Sequence, residues 1–176
     1  SKADVRRADV AAIAIDGQMA GVLGVGADGG NLTPYDSWLD TRCGEMVAVM
    51  ADRAGVQVAA RAGGPPSFNH GPKILWWQQH HPETFEAIAA FVQPGGYVAM
   101  QLAGLAGDEA FIDATYLHFS GFADNVERRW DDELCDLFAV PMAKLPRIVD
   151  PHERIGALTE AMADRCGLAA GTPIIA

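Results

Sequence analysis

Positive charge is scarce in this chain: 13 Lys and Arg stand against 23 Asp and Glu, for a formal net charge of −10. Without a basic stripe to displace counterions, a nucleic-acid backbone is a poor partner, and none is expected. The two basic pairs, Arg6-Arg7 and Arg128-Arg129, read as solvated helix ends. Long apolar runs are missing as well. No stretch approaches the ~20 residues that a bilayer crossing needs, so no membrane partner is expected. The opening residues, Ser1-Lys-Ala-Asp-Val-Arg-Arg7, lack the apolar core of a signal peptide. Cysteine is rare: Cys43, Cys135 and Cys166 lie far apart and form no C-x-x-C. A reduced thiol set in the cytoplasm fits that usage better than a disulfide framework. No metal-ligand spacing occurs either, since the adjacent His80 and His81 would point different ways on a helix, and no metal site is expected.

What is present suits one globular domain. The 176 residues can bury a core of their own, and 49% hydrophobic with 20% charged residues is ordinary composition. The organising stretch is 10–21. Six apolar residues, 10–15, run without alternation and stop at Asp16-Gly17. So short a run fits a strand buried on both faces, in a sheet covered by helices. Such sheets bind ligands just past their strands' carboxyl ends, where Asp16, Gly17, Gln18 and Met19 would lie. A polar turn between two core strands is equally allowed there.

Residues 1–9 resemble the tail of a helix that feeds this strand, which points to chain upstream. Residues 21–25, a glycine-rich turn at 26–31 and an extended 32–39 carry a hairpin signature. The turn spells G-x-G-x-x-G from Gly24 to Gly29, but Gly30-Asn-Leu-Thr-Pro34 cannot open the helix a dinucleotide site needs, so it is rejected. Cys43, Met46, Val47, Met50 and Ala54 repeat at helical spacing, with Gly55 as the stop. Helices follow at 73–81 and from Pro82, the second with Phe85, Ile88, Ala89 and Val92 on one face. Gln93-Pro-Gly-Gly-Tyr97 reads as a turn, and 98–102 fits helix or strand. A helix at 130–138 is capped by Asp131. Residues 140–147 read as extended. Asp150-Pro-His-Glu153 has the form of a capped start for a helix burying Ile155, Leu158, Met162 and Cys166, with Gly167 as its end. Residues 173–176 begin a strand. Neither repeats nor low-complexity segments occur. The pattern is α/β, and it both opens and closes inside what reads as a larger fold.

With these residues in place, the chain resembles the FGGY carbohydrate kinases, in their xylulokinase-like branch. Gly17-Gln-Met19 resembles the family's G-Q-M-H segment, and Trp38-Leu-Asp-Thr-Arg42 its W-x-D-x-R. Gly71-Pro-Lys-Ile-Leu-Trp76 resembles A-P-K-L-L-W, and Gln93-Pro-Gly-Gly-Tyr97 the P-x-D-Y turn. Asp113-Ala-Thr115 resembles S-D-A-S/T, and residues 168–176 the G-L-x-x-G-T-P-V strand. No one motif is specific; six in this order are.

The resemblance implies a ribonuclease H-like domain of the actin and hexokinase type, with a central sheet flanked by helices. It implies an incomplete sugar-binding N-terminal lobe over residues 1–176 of a two-lobed enzyme. That enzyme would move the γ-phosphate of ATP, with Mg2+, onto a hydroxyl of a sugar or polyol, ketopentoses such as xylulose or ribulose leading. The D-x-G-T hairpin would lie upstream of Ser1, and the catalytic base on a G-G-G-D loop beyond Ala176. The second lobe, with most of the nucleotide pocket, would follow. No catalytic residue and no tight nucleotide site are therefore expected in this stretch, and a homodimer is a further allowed state.

By motif position, Gln18 and Met19 would line the sugar pocket beside Asp16, and Trp38 would pack on sugar carbons. Asp40 and Arg42 fit either substrate contact or a structural ion pair. Phe68 and Asn69 would form one wall, and Asp113 would hold a hydroxyl or cap the next turn. His118, beside Phe119, is core or rim. Ala20 stands where the family often has His, which points to a different or longer substrate. Two rivals remain at this level: a two-metal nuclease on Asp16, Asp40 and Asp113, and a sugar-binding module without catalysis.

Overall fold

In the computed structural model, which describes residues 5–176, nine short strands alternate with six helices. The chain runs through β1 (Ile13–Ala14), β2 (Leu23–Val25), α1 (Gly44–Ala62), α2 (His70–His80), α3 (Pro82–Ala87), β3 (Ala90–Val92) and α4 (Pro94–Ala103). It continues with β4 (Phe111–Asp113), β5 (Ala123–Asp124), β6 (Arg129–Trp130), α5 (Asp132–Leu137), β7 (Arg147–Val149), β8 (Arg154–Ala157), α6 (Glu160–Cys166) and β9 (Pro173–Ile175). β1 pairs in parallel with β9, which pairs antiparallel with β8. β4 and β7 are parallel, whereas β2–β3 and β5–β6 are antiparallel pairs. The α/β class expected from the sequence holds. Among the described residues no helix is long and apolar enough to cross a membrane.

Two cores share the interior. One gathers Met50, Ile74, Phe91, Phe122 and Leu134 between α1, α2, β3 and α5. The other gathers Val25, Val92, Met100, Phe111 and Ile174 between the strands and α4. The hairpin is as expected: Val22 and Asp36 exchange backbone hydrogen bonds at 3.1 and 2.9 Å, and Gly29 turns at φ 77°. The G-x-G-x-x-G is only this turn, with the Gly26 and Gly29 N–H groups spent inside it.

Several expectations need correction. Residues 10–15 are not a strand buried on both faces. β1 is two residues long, Ile13 is half-buried, and Ala11, Ala12 and Ala14 are exposed. Among the described residues it lies at the edge of its sheet, with β9 as its neighbour. Gly55 does not stop α1; the helix kinks at Ala54 (φ −150°) and runs on to Gly63, whose left-handed backbone closes it. Gln93-Pro-Gly-Gly-Tyr97 is no turn but the start of α4, with Pro94 in the position its fixed φ favours. Val92 belongs to β3 rather than to a helix face, and residues 140–147 contain a 3-10 turn at Met142–Lys144. Of the helix tail expected over 1–9, the first four residues lie outside the described residues, and Arg7–Asp9 form a single 3-10 turn.

The cap chemistry at Asp150-Pro151 also misleads. Residues 154–157 extend because β9 offers them a ladder, with Gly156 opposite Ile174 and Ala157 opposite Pro173. Long-range pairing there outweighs a local cap. α6 starts instead after Thr159, whose hydroxyl accepts from the Met162 N–H at 3.3 Å. Thr159→Ala is expected to lower stability by about 1 kcal/mol in chemical denaturation, the usual worth of such a cap. An unchanged midpoint would assign the start of α6 to packing alone.

Candidate functional site

The residues after β1 form the first part of the site. Asp16 is exposed, and its Oδ1 accepts the Gly17 N–H at 2.8 Å. Gly17 lies so close to α4 that a Cβ there would sit 3.0 Å from the Gly95 nitrogen, which explains a glycine at this position. Gln18 Oε1 accepts from the Tyr35 hydroxyl at 2.8 Å. Tyr35 reaches it by lying over Gly21, where any Cβ would stand 2.2 Å from the phenol oxygen. Between them Ala20 is held in the left-handed region at φ 62°, and Met19 faces outward, 52% exposed.

From the other side comes the 3-10 turn Ala114–Phe119 after β4. Asp113 caps it, Oδ1 accepting from the Thr115 N–H at 2.9 Å and hydroxyl at 2.5 Å. The Tyr116 hydroxyl donates to the Gly17 carbonyl at 3.4 Å. Burial first, then the carboxylates of Asp113 and Asp16, raise the Tyr116 phenol above its ordinary pKa. Two acids from the ends of two strands thus bear on one phenol. A pocket opens among Ile15, Gln93, Asp113, Tyr116 and Ile175, at the carboxyl ends of β1, β4 and β9.

The second part surrounds Asp36. Its carboxylate, 3% exposed, accepts from Trp77 Nε1 and Arg42 Nη2, each at 2.5 Å. Arg42 also donates from Nε to Asp40 at 2.9 and 3.0 Å, and its guanidinium stacks 4.5 Å from the centre of Trp76. Lys73, buried on α2, donates to the Asp40 carbonyl at 2.7 Å. Burial pushes the Asp36 carboxyl up, whereas Arg42 holds that of Asp40 below the usual range. Of the two roles open to Asp40 and Arg42, the structure therefore has them engaged in an ion-pair knot. Trp38, from the same segment, is 52% exposed.

Phe68 is likewise exposed, its ring edge 3.6 Å from where a Cβ on Gly44 would lie. Asn69 and His70 are buried, and Asn69 Oδ1 and His70 Nε2 have no hydrogen-bond partner among the described residues. Burial lowers the His70 pKa to about 3, so it is neutral at physiological pH. His118 is exposed against Phe119 and belongs to the rim.

Asp16 and Asp113 are thus brought together, Gln18 is anchored beside them, and Asp40 with Arg42 is tied to α2. Four residues escaped sequence reasoning: Tyr35, Asp36, Gln93 and Tyr116. Only Gln93 carried a signal, a polar residue directly before a proline that can open a helix. Among the described residues no group of three or more His, Cys, Asp or Glu is placed to hold a metal ion.

A model of the FGGY family of carbohydrate kinases, N-terminal domain, matches residues 1–176. The xylulose kinase of Bacillus subtilis is 26% identical over 181 residues, covering 100% of this chain and 35% of its own length. The L-fuculokinase of Escherichia coli is 27% identical over 176 residues, covering 97% of this chain and 35% of its own. A solved gluconate kinase from Lactobacillus acidophilus superposes with a TM-score of 0.86 at 25% identity, over 99% of this chain and 34% of that one. The fold is therefore of the actin and hexokinase type. The chain spans about a third of the length of the curated relatives it matches.

Proposed function

We propose, since this chain belongs to the FGGY family of carbohydrate kinases, that it supplies the sugar-binding lobe of an ATP-dependent enzyme phosphorylating a hydroxyl of a sugar or polyol. One observation carries the proposal: Asp113 and Tyr116 line a pocket at the carboxyl ends of β1, β4 and β9, and Asp16 lies near enough to act on the Tyr116 phenol. That edge is where open α/β sheets take their ligands. Carboxylates and a phenol suit hydroxyl recognition, and the exposed Met19, Trp38 and Phe68 offer apolar surface to sugar carbons. Gln18, held by Tyr35, and Asn69 complete the polar set, while Asp40 and Arg42 shape it from the Asp36 knot.

The glycine-rich turn at 26–31 does not offer its N–H groups to a phosphate, because Gly26 and Gly29 spend theirs within the hairpin. ATP, its divalent cation and the base that takes the acceptor proton are assigned to chain outside these residues. What this lobe contributes is orientation of the acceptor hydroxyl, a term phosphoryl transfer depends on heavily. Ketopentoses such as xylulose or ribulose are the leading substrates. Ala20, where the family often has His, weighs against xylulose itself and toward a different or longer acceptor. The free thiols of Cys43, Cys135 and Cys166 support a cytoplasmic setting.

The test is a screen of ketopentoses, methyl pentuloses, aldonates and polyols with ATP, on the full-length protein. Phosphorylation of at least one is expected. In the enzyme, Asp16→Asn should raise KM about tenfold and change kcat less than threefold, as loss of a ground-state hydrogen bond does. An equal fall in kcat and kcat/KM would place Asp16 in the chemical step and overturn its assignment. Sugar binding with no phosphorylation of any candidate would leave a binding module instead.

A further inference from the structure

Gln93 occupies an unusual place. It precedes α4 and is 4% exposed, and its side chain lines the space on either side of it. It stands in the wall between two cavities. On one side is the pocket at the strand ends, with Asp113 and Tyr116. On the other is an internal cavity with room for about one water, walled by Phe91, Ile112 and Trp130 and faced by His70 and Ser120. His70 is 2% exposed, and its Nε2 has no partner either. The Ser120 hydroxyl oxygen already accepts the N–H groups of Phe122 and Ala123, at 3.3 and 3.0 Å. One buried, unpartnered nitrogen and the Gln93 side chain therefore line one small void.

We propose that the Gln93 carboxamide contacts substrate and sets specificity in the outer pocket, and that His70 orients it through a water held in the inner cavity. A carboxamide offers an acceptor at one oxygen and two donors at its nitrogen, which matches neighbouring hydroxyls that both give and take hydrogen bonds. The ligand class is thus a polyhydroxylated chain with vicinal hydroxyls, and this rests on the sugar-kinase function proposed above. Neutral imidazole, with one donor and one acceptor nitrogen, can hold a water in a single orientation. Gln93 then turns the same face to every ligand that enters. His70 acts through Gln93 and is a positioning residue.

The full-length protein with Gln93→Met, His70→Leu and both changes tests this. Gln93→Met keeps side-chain length and removes the amide. It should leave the melting temperature near that of the wild type while raising KM for the best sugar at least tenfold, with kcat changed less. His70→Leu should raise KM about threefold, and the double variant should be no worse than Gln93→Met alone, because one group acts through the other. A crystal structure should show water within hydrogen-bond distance of His70 Nε2 and the Gln93 amide.

A lower melting temperature with unchanged KM in Gln93→Met, or a chain that no longer folds, would make Gln93 structural and overturn the inference. Multiplying effects in the double variant, or a dry inner cavity, would overturn the part assigned to His70. Wild-type protein that phosphorylates no sugar or polyol sinks the kinase function itself. An active wild type with unaltered KM in Gln93→Met sinks only this proposal.

Discussion

Replacing Asp36 with alanine is expected to cost about 3 kcal/mol of folding stability, near the lower end for breaking a buried ion pair. The substitution removes the acceptor of two hydrogen bonds at once, from Trp77 Nε1 and Arg42 Nη2. Trp77 is buried, so its indole N–H loses its partner where water cannot replace it. Arg42 is half-exposed and keeps Asp40, which holds the estimate down. Asp36→Asn retains an acceptor and should cost about 1 kcal/mol. Chemical denaturation at fixed pH reads both. Acid adds a signed test. Burial raises the Asp36 pKa above its unfolded value, so its linkage contribution is full below the unfolded pKa and is lost as pH rises through the folded one. The stability gap between wild type and Asp36→Asn should therefore widen on acidification. A gap that narrows would mean that the Arg42 pair outweighs burial.

Gly29→Ala should be similarly damaging, at about 3 kcal/mol, for a different reason. Its φ is 77°, where a side chain strains the backbone, and a Cβ there would stand 2.2 Å from the Leu105 carbonyl oxygen. The obstacle is backbone and cannot swing aside. Gly107 repeats the situation from the opposite side, its Cβ position 2.3 Å from the Gly26 carbonyl. The hairpin tip and the segment after α4 thus touch main chain to main chain, and Gln101 Nε2 adds a hydrogen bond to the Gly29 carbonyl at 2.8 Å. Gly63→Ala supplies the control: φ is 89° but nothing lies within 4 Å. It should cost only the conformational part, about 1 kcal/mol. Equal losses at the two positions would refute the steric account.

Local chemistry was legible where local chemistry decides. Asp131 caps α5, Pro72 sits in the first turn of α2, and the 26–31 turn was correctly denied a phosphate. The misses lie where a distant partner decides. Residues 154–157 carry no strand signal that outweighs the cap before them until β9 is placed beside them. Gly55 looks like a stop because a kink and an end share one residue preference. The run at 10–15 has the composition of a central strand, but among the described residues it has a neighbour on one side only. For the candidate site, the apolar run before it pointed to Asp16, and Asp113 came from a motif resemblance; the structure sets Asp113 at the end of β4 and Asp16 just past β1. Tyr35 and Tyr116 were hidden because their roles arise from what they lie against: Gly21 and Gln18 for one, Gly17 for the other.

The segment from Tyr35 to Arg42 divides its work by position. Asp36 faces inward to Trp77, and Arg42 closes the knot, while Trp38 and Leu39 between them project outward and bear no core weight. Met19 stands in the same relation to Gln18, and Phe68 to Asn69. Exposed apolar side chains are thus threaded among residues that are tied into the fold. A lineage could exchange these exposed side chains one at a time without crossing a valley of unfolded intermediates.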